Sequence, residues 1–205
     1  MDKYSDTQLI SAALNTLREE GITDISVDSS AARHVKNKFN MLIDAFLTSV
    51  YWQCATKTAN LVRREAESPY DILPYVFTYP ADALLPISVI VDGNPYDLSD
   101  QYYGRPKSSL RQAPIIEGNL VYHSESTCTL RYLRRIPVSQ MRNYMIYPLQ
   151  LFIASDIAYG VANTASFGDV LLKRYERELA KAEEKNNKEI NERYRVGESL
   201  KGRSR

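Results

Sequence analysis

Asp28, Ser30 and His34 are the residue types of an orienting carboxylate, a nucleophile and a general base, and they lie close together in the sequence. Ser30 and His34 are one helical turn apart, so a helix would bring their side chains to one face. The same spacing also arises wherever a serine caps the start of a helix. Because the chain has no G-x-S-x-G segment to expose a nucleophile, we expect a capped helix here rather than a catalytic site.

Three aspartates, Asp92, Asp97 and Asp100, are spaced as the carboxylates of a two-metal nuclease could be. Aspartates in turns are far more common, because the carboxylate bonds its own backbone there. His34 and His123 have no second ligand at metal-binding spacing, and neither Gly-rich phosphate loop motif occurs. We therefore predict a protein that is not an enzyme, with no catalytic residue, no metal and no cofactor.

A long loop carries aromatic and basic side chains that suit a contact with another molecule. Its sequence, SDQYYGRPKSSLRQAP, has no hydrophobic period and is long for a connection between strands. Tyrosine provides a rigid apolar anchor, and arginine pairs with carboxylates or phosphates. The candidate contacts, with a protein partner or with DNA, are Tyr102, Tyr103, Arg105, Lys107 and Arg111.

The C-terminal segment is a second basic region. The apolar stripe of the last predicted helix fades after Ala182, yet the chain continues to Arg205. A helix with so little apolar face is marginal in water, so we expect this segment to be mobile until a partner orders it. Removal of everything after Lys185 is then expected to leave stability unchanged. The candidate contacts are Arg193, Tyr194, Arg195, Lys201, Arg203 and Arg205.

Composition favours an ordinary globular protein with many interfaces. The formal net charge of the 205 residues is +1, so no global positive field argues for nucleic acid. The 15 tyrosines are an excess that suits protein interfaces. Cys54 and Cys128 lie in different predicted elements, and we expect them to be reduced and buried in a cytosolic protein. No apolar stretch approaches the length of a membrane span, so no membrane association is expected.

Two helices are predicted in the first third of the chain. Ser5 can cap a helix over residues 6–20, which Gly21 would end. Apolar residues then recur every three or four positions over residues 31–67, which predicts one long helix that ends before Pro69.

Two further helices are predicted near the C-terminus. Pro148 suits the first turn of a helix, and apolar and small residues follow it. Ser166 and Asp169 have the spacing of a capping box that opens the last helix.

Residues 70–136 change period and read as short strands rich in Val, Ile, Thr and Tyr, with turns at 92–94 and 124–126. The predicted fold class is therefore mainly α with a small β insertion: a four-helix bundle that includes one long helix, with antiparallel strands between its second and third helices. The predicted division is a bundle of residues 1–69 and 137–185, an insertion of residues 70–136 and an extension of residues 186–205.

Four short motifs occur in a fixed order along residues 9–185. They are ISVDSS at 25–30, WQCA at 52–55, TYPAD at 78–82, and a final helix with Leu171, Tyr175, Leu179 and Ala182. The order and spacing of these motifs resemble the head-to-tail adaptor proteins of tailed bacteriophages, the tail tubular protein A family. The resemblance covers most of the chain.

This resemblance implies a structural protein of the virion neck, present in the host cytoplasm during assembly. Such a protein forms a ring of twelve copies below the portal protein, joins it to the tail nozzle or tail tube, and lines the channel for double-stranded genomic DNA. The basic C-terminal segment would then contact the portal, and the 102–111 loop would contact the tail or a neighbouring subunit. An alternative from the residues alone is a helical nucleic-acid-binding module that uses the basic 102–111 loop.

Overall fold

The computed structural model describes residues 4–19, 30–91, 94–98, 114–160 and 165–201. The chain divides into two compact units. A helical unit comprises Met1–Ala55 and Ile136–Arg205, and a β unit comprises Thr56–Arg135. Along the described chain, two helices precede the β unit and two follow it.

Helix α1, Asp6–Glu19, begins with the cap that the sequence predicts. The backbone N–H of Gln8 donates to Ser5 Oγ at 3.2 Å, and the N–H of Ser5 donates to Gln8 Oε1 at 2.8 Å. This reciprocal pair satisfies two backbone donors that a helix start leaves without partners. One face of α1 is buried, through Leu9, Ile10, Ala13, Leu14 and Leu17.

Helix α2, Ser30–Ser49, is much shorter than the predicted helix over 31–67. Its last turn is closed by its own side chains, since Thr48 Oγ1 donates to the carbonyl of Asp44 at 2.9 Å and Ser49 Oγ donates to that of Phe46 at 2.8 Å. The Nε1 of Trp52, on the following turn, also donates to the Phe46 carbonyl, at 3.2 Å. These bonds occupy carbonyls at the end of the helix, and such side-chain bonds favour termini over helix interiors.

Helix α3, Asn143–Gly160, is the centre of the helical unit. It packs against α1, α2 and α4. Buried side chains occur all around it: Met145, Ile146, Leu149, Leu151, Ile153, Ala154, Ile157 and Ala158. Apolarity on every side is typical of a buried helix. The helix starts at Asn143 rather than at Pro148, so the predicted start was wrong by more than a turn and Pro148 lies inside the helix. None of the helices in the described ranges has the length and apolarity that a membrane crossing needs.

Helix α4, Ala165–Lys201, runs antiparallel to α3. Three contacts fix the direction, since Tyr159 bonds Asp169, the rings of Phe152 and Tyr175 lie 5.1 Å apart, and Tyr144 bonds Glu189. The 37 residues of α4 span about 55 Å, and the 18 residues of α3 span about 27 Å. Because Glu189 lies at the start of α3, α4 continues past α3 for roughly three turns.

The β unit contains two four-stranded antiparallel sheets. The first sheet has the order β1-β8-β4-β5, and the second has the order β2-β3-β7-β6. The strands are β1 Thr56–Asn60, β2 Arg63–Arg64, β3 Tyr75–Thr78, β4 Ala83–Val91, β5 Asn94–Asp97, β6 Ile115–Glu117, β7 Leu120–His123 and β8 Thr129–Arg134.

Side chains from both sheets meet in one core. Phe77 and Val121 come from the second sheet, and Val89, Leu130 and Tyr132 come from the first. β1 and β2 are separated by two residues, so they form the edges of the two sheets on the same side, and β5 and β6 form the opposite edges. The unit is therefore a small sandwich of two sheets.

Two turns predicted from the sequence have different outcomes. β4 and β5 pair antiparallel with Val91 opposite Asn94, which confirms the hairpin predicted at 92–94. Residues 124–126 connect β7 to β8, strands of different sheets, so they form a bend rather than a hairpin. A further hairpin, between β6 and β7, was not predicted from the sequence. Its turn contains Gly118 with a φ of +58°, a value that glycine adopts without steric cost.

The predicted fold class, mainly α with a small β insertion in a four-helix bundle, was wrong. The fold is α+β, because the β unit has eight strands in two complete sheets. The error arises because α2 ends at Ser49 and not at residue 67, where the sequence pattern placed its end. Residues 56–64 continue the helical period of apolar residues by coincidence, but they form β1 and β2, one edge strand of each sheet.

Replacement of Trp52 by Ala should destabilise the helical unit strongly. Trp52 is fully buried and stacks on Phe46, with ring centroids 5.3 Å apart. We expect a loss of about 3–5 kcal/mol in the free energy of unfolding for Trp52→Ala, measured by urea denaturation and far-UV circular dichroism. Met41→Ala, at an exposed position of α2, is the matched control, and equal effects of the two substitutions would contradict this packing.

Candidate functional site

Both predicted contact regions fall where no side chain is described. The loop residues Tyr102, Tyr103, Arg105, Lys107 and Arg111 lie outside the described residues, as do Arg203 and Arg205. Helix α4 includes Arg193, Tyr194, Arg195 and Lys201, whose side chains are likewise outside the description. These assignments remain predictions, and the described surfaces around them provide the geometry.

Of the candidate catalytic residues, Asp28 and the side chain of Ser30 lie outside the description, and His34 joins α2 to α3. His34 Nε2 lies 3.0 Å from Asp156 Oδ2 of α3, and Lys38 Nζ lies 3.4 Å from Asp156 Oδ1. The contacts of His34 and Lys38 with Asp156 therefore join α2 to α3. Of the three candidate metal aspartates, only Asp97 is within the described residues, where it ends the edge strand β5. Across the described ranges, no three histidine, cysteine or acidic side chains group as a metal site would require.

A cleft of about 560 Å³ lies where α4 passes the start of α3. Its lining includes the segment from Val138 to Tyr144 and also Glu189 of α4. Tyr144 donates its phenol proton to Glu189 Oε2 at 3.3 Å, and Arg142 Nε lies 3.7 Å from the same oxygen. Burial raises the pKa of Tyr144, and the charge of Glu189 raises it further. The phenol therefore stays protonated and acts as a donor that holds α4 in place.

Asn186 is the second fixed point of α4. Its side chain is 1% exposed, and it accepts a bond from the backbone N–H of Gln53 at 2.9 Å. Its Nδ2 donates to the carbonyl of Tyr51 at 3.0 Å. The amide thus satisfies one backbone donor and one acceptor of the turn that follows α2. This role could not be predicted from the sequence, because an asparagine in the polar run NNKE is expected to face solvent.

The cysteines are unpaired in the two units. Cys54 is half-buried with its Sγ 3.4 Å from the Sδ of Met145, and burial raises its pKa. Cys128 is buried in the sandwich core, and burial raises its pKa to about 12. Neither thiol has the thiolate character of a reactive cysteine.

A groove of about 660 Å³ lies along the β1 and β2 side of the sandwich. One wall is the chain from Lys57 to Val62, and the other is the chain from Thr78 to Asp82, which includes the TYPAD motif. Tyr132 of β8 also lines it. Val62 is 73% exposed, an unusual degree of exposure for a valine beside a groove. We call this feature the edge groove.

Three side chains form a polar cluster at one end of the edge groove. Lys57 Nζ lies 2.9 Å from Asp82 Oδ2, and the phenol of Tyr132 donates to Asp82 Oδ1 at 2.8 Å. The ammonium of Lys57 lowers the pKa of Asp82, and the Tyr132 bond lowers it further against the opposing effect of partial burial. The groove therefore presents an ion pair, Lys57 with Asp82, beside apolar walls.

The backbone of β1 completes the edge groove. The N–H of Leu61 donates to the carbonyl of Cys128, and the two residues are opposite each other in the β1–β8 register. Bonded and non-bonded positions alternate along an antiparallel pair, so Thr58 and Asn60 point their backbone groups away from β8. β1 is also the edge of its sheet. This geometry can accept an extended peptide as an added strand.

No protein-family model and no curated protein matches this chain. The functional interpretation therefore depends on the sequence motifs and on the geometry described above.

Substitution of Asn186 should show how far the structural part of α4 extends. Asn186→Ala leaves the Gln53 N–H and the Tyr51 carbonyl without their partner, which costs about 1–3 kcal/mol for each group that stays buried. The matched control is Asn187→Ala, because Asn187 is exposed on the same helix. We expect a clear decrease in the midpoint of urea denaturation for the first variant and almost none for the second. Equal midpoints would show that the amide does not hold the turn.

The Lys57–Asp82 pair should make the β unit sensitive to acid. Because the folded pKa of Asp82 lies below its unfolded value, the pair contributes stability above the unfolded pKa of about 4 and loses it as the pH falls through the folded pKa. We expect Asp82→Asn to lower the melting temperature slightly at pH 7 and less at pH 3. Asp71→Asn, at an exposed aspartate of the same unit, is the control. A difference that grows on acidification would contradict this assignment.

Proposed function

We propose that this protein is a structural head-to-tail adaptor of a tailed bacteriophage, which forms a ring of about twelve copies below the portal and connects it to the tail. The motifs at 25–30, 52–55, 78–82 and in the last helix suggest this family. The chain order of two helices, a β unit and two helices supports the proposal, because it is the order that the resemblance implies.

The observation that carries the proposal is the length of α4. The last contacts described for α4 are those of Asn186 with the turn after α2 and of Glu189 with the start of α3, and the helix runs on to Lys201. The continuing turns contain Arg193, Tyr194 and Arg195, residue types that are enriched in binding hot spots. A helix that extends beyond its own core and carries such residues suits docking on a second protein.

The described surface also suits an assembled protein better than an isolated one. Large apolar side chains are exposed on the helical unit, including Met41, Tyr147, Tyr159 and Val170. The near-neutral net charge is compatible with a channel wall, because DNA has to move past such a wall without binding it tightly. In this proposal the protein is part of the virion neck, with the portal protein, the tail nozzle and its own copies as partners.

A truncated chain tests the role of the extension. The boundary has to lie after Ile190, because a cut after Lys185, which the sequence analysis suggested, removes Asn186 and Glu189 with their contacts. We expect the chain of residues 1–190 to keep its melting temperature within about 2–4 °C and to lose association with portal rings of the same virus, measured by mass photometry.

Two further chains make this test decisive. The full chain with Arg193→Ala and Arg195→Ala should bind portal rings at least tenfold more weakly, since hot-spot residues typically contribute about 2 kcal/mol or more. The chain of residues 1–185 should melt at a lower temperature than the chain of residues 1–190. If the chain of residues 1–190 binds portal rings as tightly as the full chain, the extension is not the docking element.

A further inference from the structure

We propose that the edge groove is the subunit-to-subunit joint of the assembly, and that it binds residues 99–113 of the next copy of this chain. This inference rests on the proposed ring, and it specifies which surface of each copy contacts the next copy. The groove residues that carry it are Leu61, Val62, Tyr79, Pro80 and Asp82.

The position of the groove relative to residues 99–113 is the first argument. The segment begins after β5 and ends before β6, and these strands form the edges of the two sheets on one side. The edge groove lies on the opposite side, along β1 and β2. Four strands separate the two sides, or about 14 Å at the usual strand spacing. When sandwiches are placed side by side in one direction, the two described ends of the segment, Leu98 and Pro114, therefore lie on the side nearest the groove of the next copy.

The symmetry of this contact is the second argument. The two surfaces are different, so the contact is heterologous, and repeated heterologous contacts close into a ring when the rotation permits. A two-fold dimer would instead require one surface that is complementary to itself. The sandwich thus has the two unlike sides that a ring subunit requires.

Chemical complementarity is the third argument. The apolar walls of the edge groove, with Leu61, Val62 and Pro80, suit tyrosine rings, and the segment contains Tyr102 and Tyr103. Tyrosine anchors bury a large apolar area at a low cost in side-chain entropy.

Backbone geometry adds to this complementarity, whereas the Lys57–Asp82 pair leaves the polar end of the groove formally neutral. The outward backbone groups of Thr58 and Asn60 can pair with a chain that binds in an extended conformation.

A peptide of residues 99–113 tests the groove without any portal or ring. We expect fluorescein-labelled peptide to bind the full-length protein saturably in fluorescence anisotropy, and Val62→Glu to weaken this binding at least tenfold. Ile72→Glu is the matched control, because Ile72 is also highly exposed in the same unit, at 62% against 73% for Val62, but does not line the groove. A peptide with Tyr102→Ala and Tyr103→Ala should bind at least tenfold more weakly.

The concentration range makes this test decisive. Contacts between neighbours in a ring act at effective concentrations of about millimolar, so a peptide that does not bind by about 1 mM cannot represent such a joint. Absence of binding in that range overturns the proposal, and so does equal binding by Val62→Glu and Ile72→Glu.

Disulfide trapping on assembled rings tests the direction of the contact. The variant with Val62→Cys and Tyr103→Cys should form a ladder of covalent multimers under mild oxidation, because each copy links to the next. The buried Cys128 and the half-buried Cys54 give little background, and each single-cysteine variant controls for it. Dimers alone, or a disulfide within one chain, would overturn the head-to-tail contact.

The two tests separate this inference from the proposed function. If rings form on the portal but the peptide does not bind the groove, the joint lies elsewhere and the adaptor function stands. If the peptide binds and Val62→Glu weakens it, but the chain never associates with portal rings, the groove stands and the adaptor function is overturned.

Discussion

The enclosure of α3 is the constraint on which the helical unit depends. Its apolar residues lie on every side, and a buried Leu, Ile or Met side chain contributes about 1.5–3 kcal/mol only when it is removed from water. Three other helices therefore have to surround it. Polar side chains of α3 fix how each neighbour is placed: Gln150 bonds α1, Asp156 bonds α2 and Tyr144 bonds α4. Apolar burial drives the packing, and these three contacts select one arrangement of it.

Asn186 joins α4 to the turn that follows α2 within the helical unit. The backbone N–H of Gln53 and the carbonyl of Tyr51 both find their partner in this buried amide. The part of α4 that is required for folding therefore extends at least to Glu189, although its apolar pattern fades after Ala182. Hydrogen bonds thus extend the part of α4 that the fold requires beyond the end of its apolar pattern.

Features that depend only on neighbouring residues could be predicted from the sequence. The Ser5 cap, the apolar face of α1 and the β4–β5 hairpin agree with the structure because each depends on neighbouring residues. The end of α2 could not be found in this way. Residues 56–64 keep a helical period, but their pairing with β8 and β3 depends on residues more than ten positions away. Tertiary pairing overrides local pattern there.

The candidate sites show the same division between local and distant information. Tyr102, Arg105 and the basic C-terminal residues could be selected by type alone, and they remain predictions because their side chains lie outside the described residues. The edge groove could not be selected by type, because Lys57, Asp82 and Tyr132 are far apart in the sequence. Only the sandwich brings them together, although the TYPAD motif marked one of its walls.

The two edges of the first sheet differ in their capacity to accept an added strand. Leu98 donates its N–H to the Ile87 carbonyl, so by alternation Pro95 of β5 occupies a position whose backbone points outward from the sheet. Proline has no N–H, and it therefore removes a donor from that edge and discourages strand addition. β1 contains no proline and keeps its outward donors at Thr58 and Asn60. The two edges of this sheet therefore differ, because β1 can accept an added strand whereas Pro95 disfavours strand addition at β5.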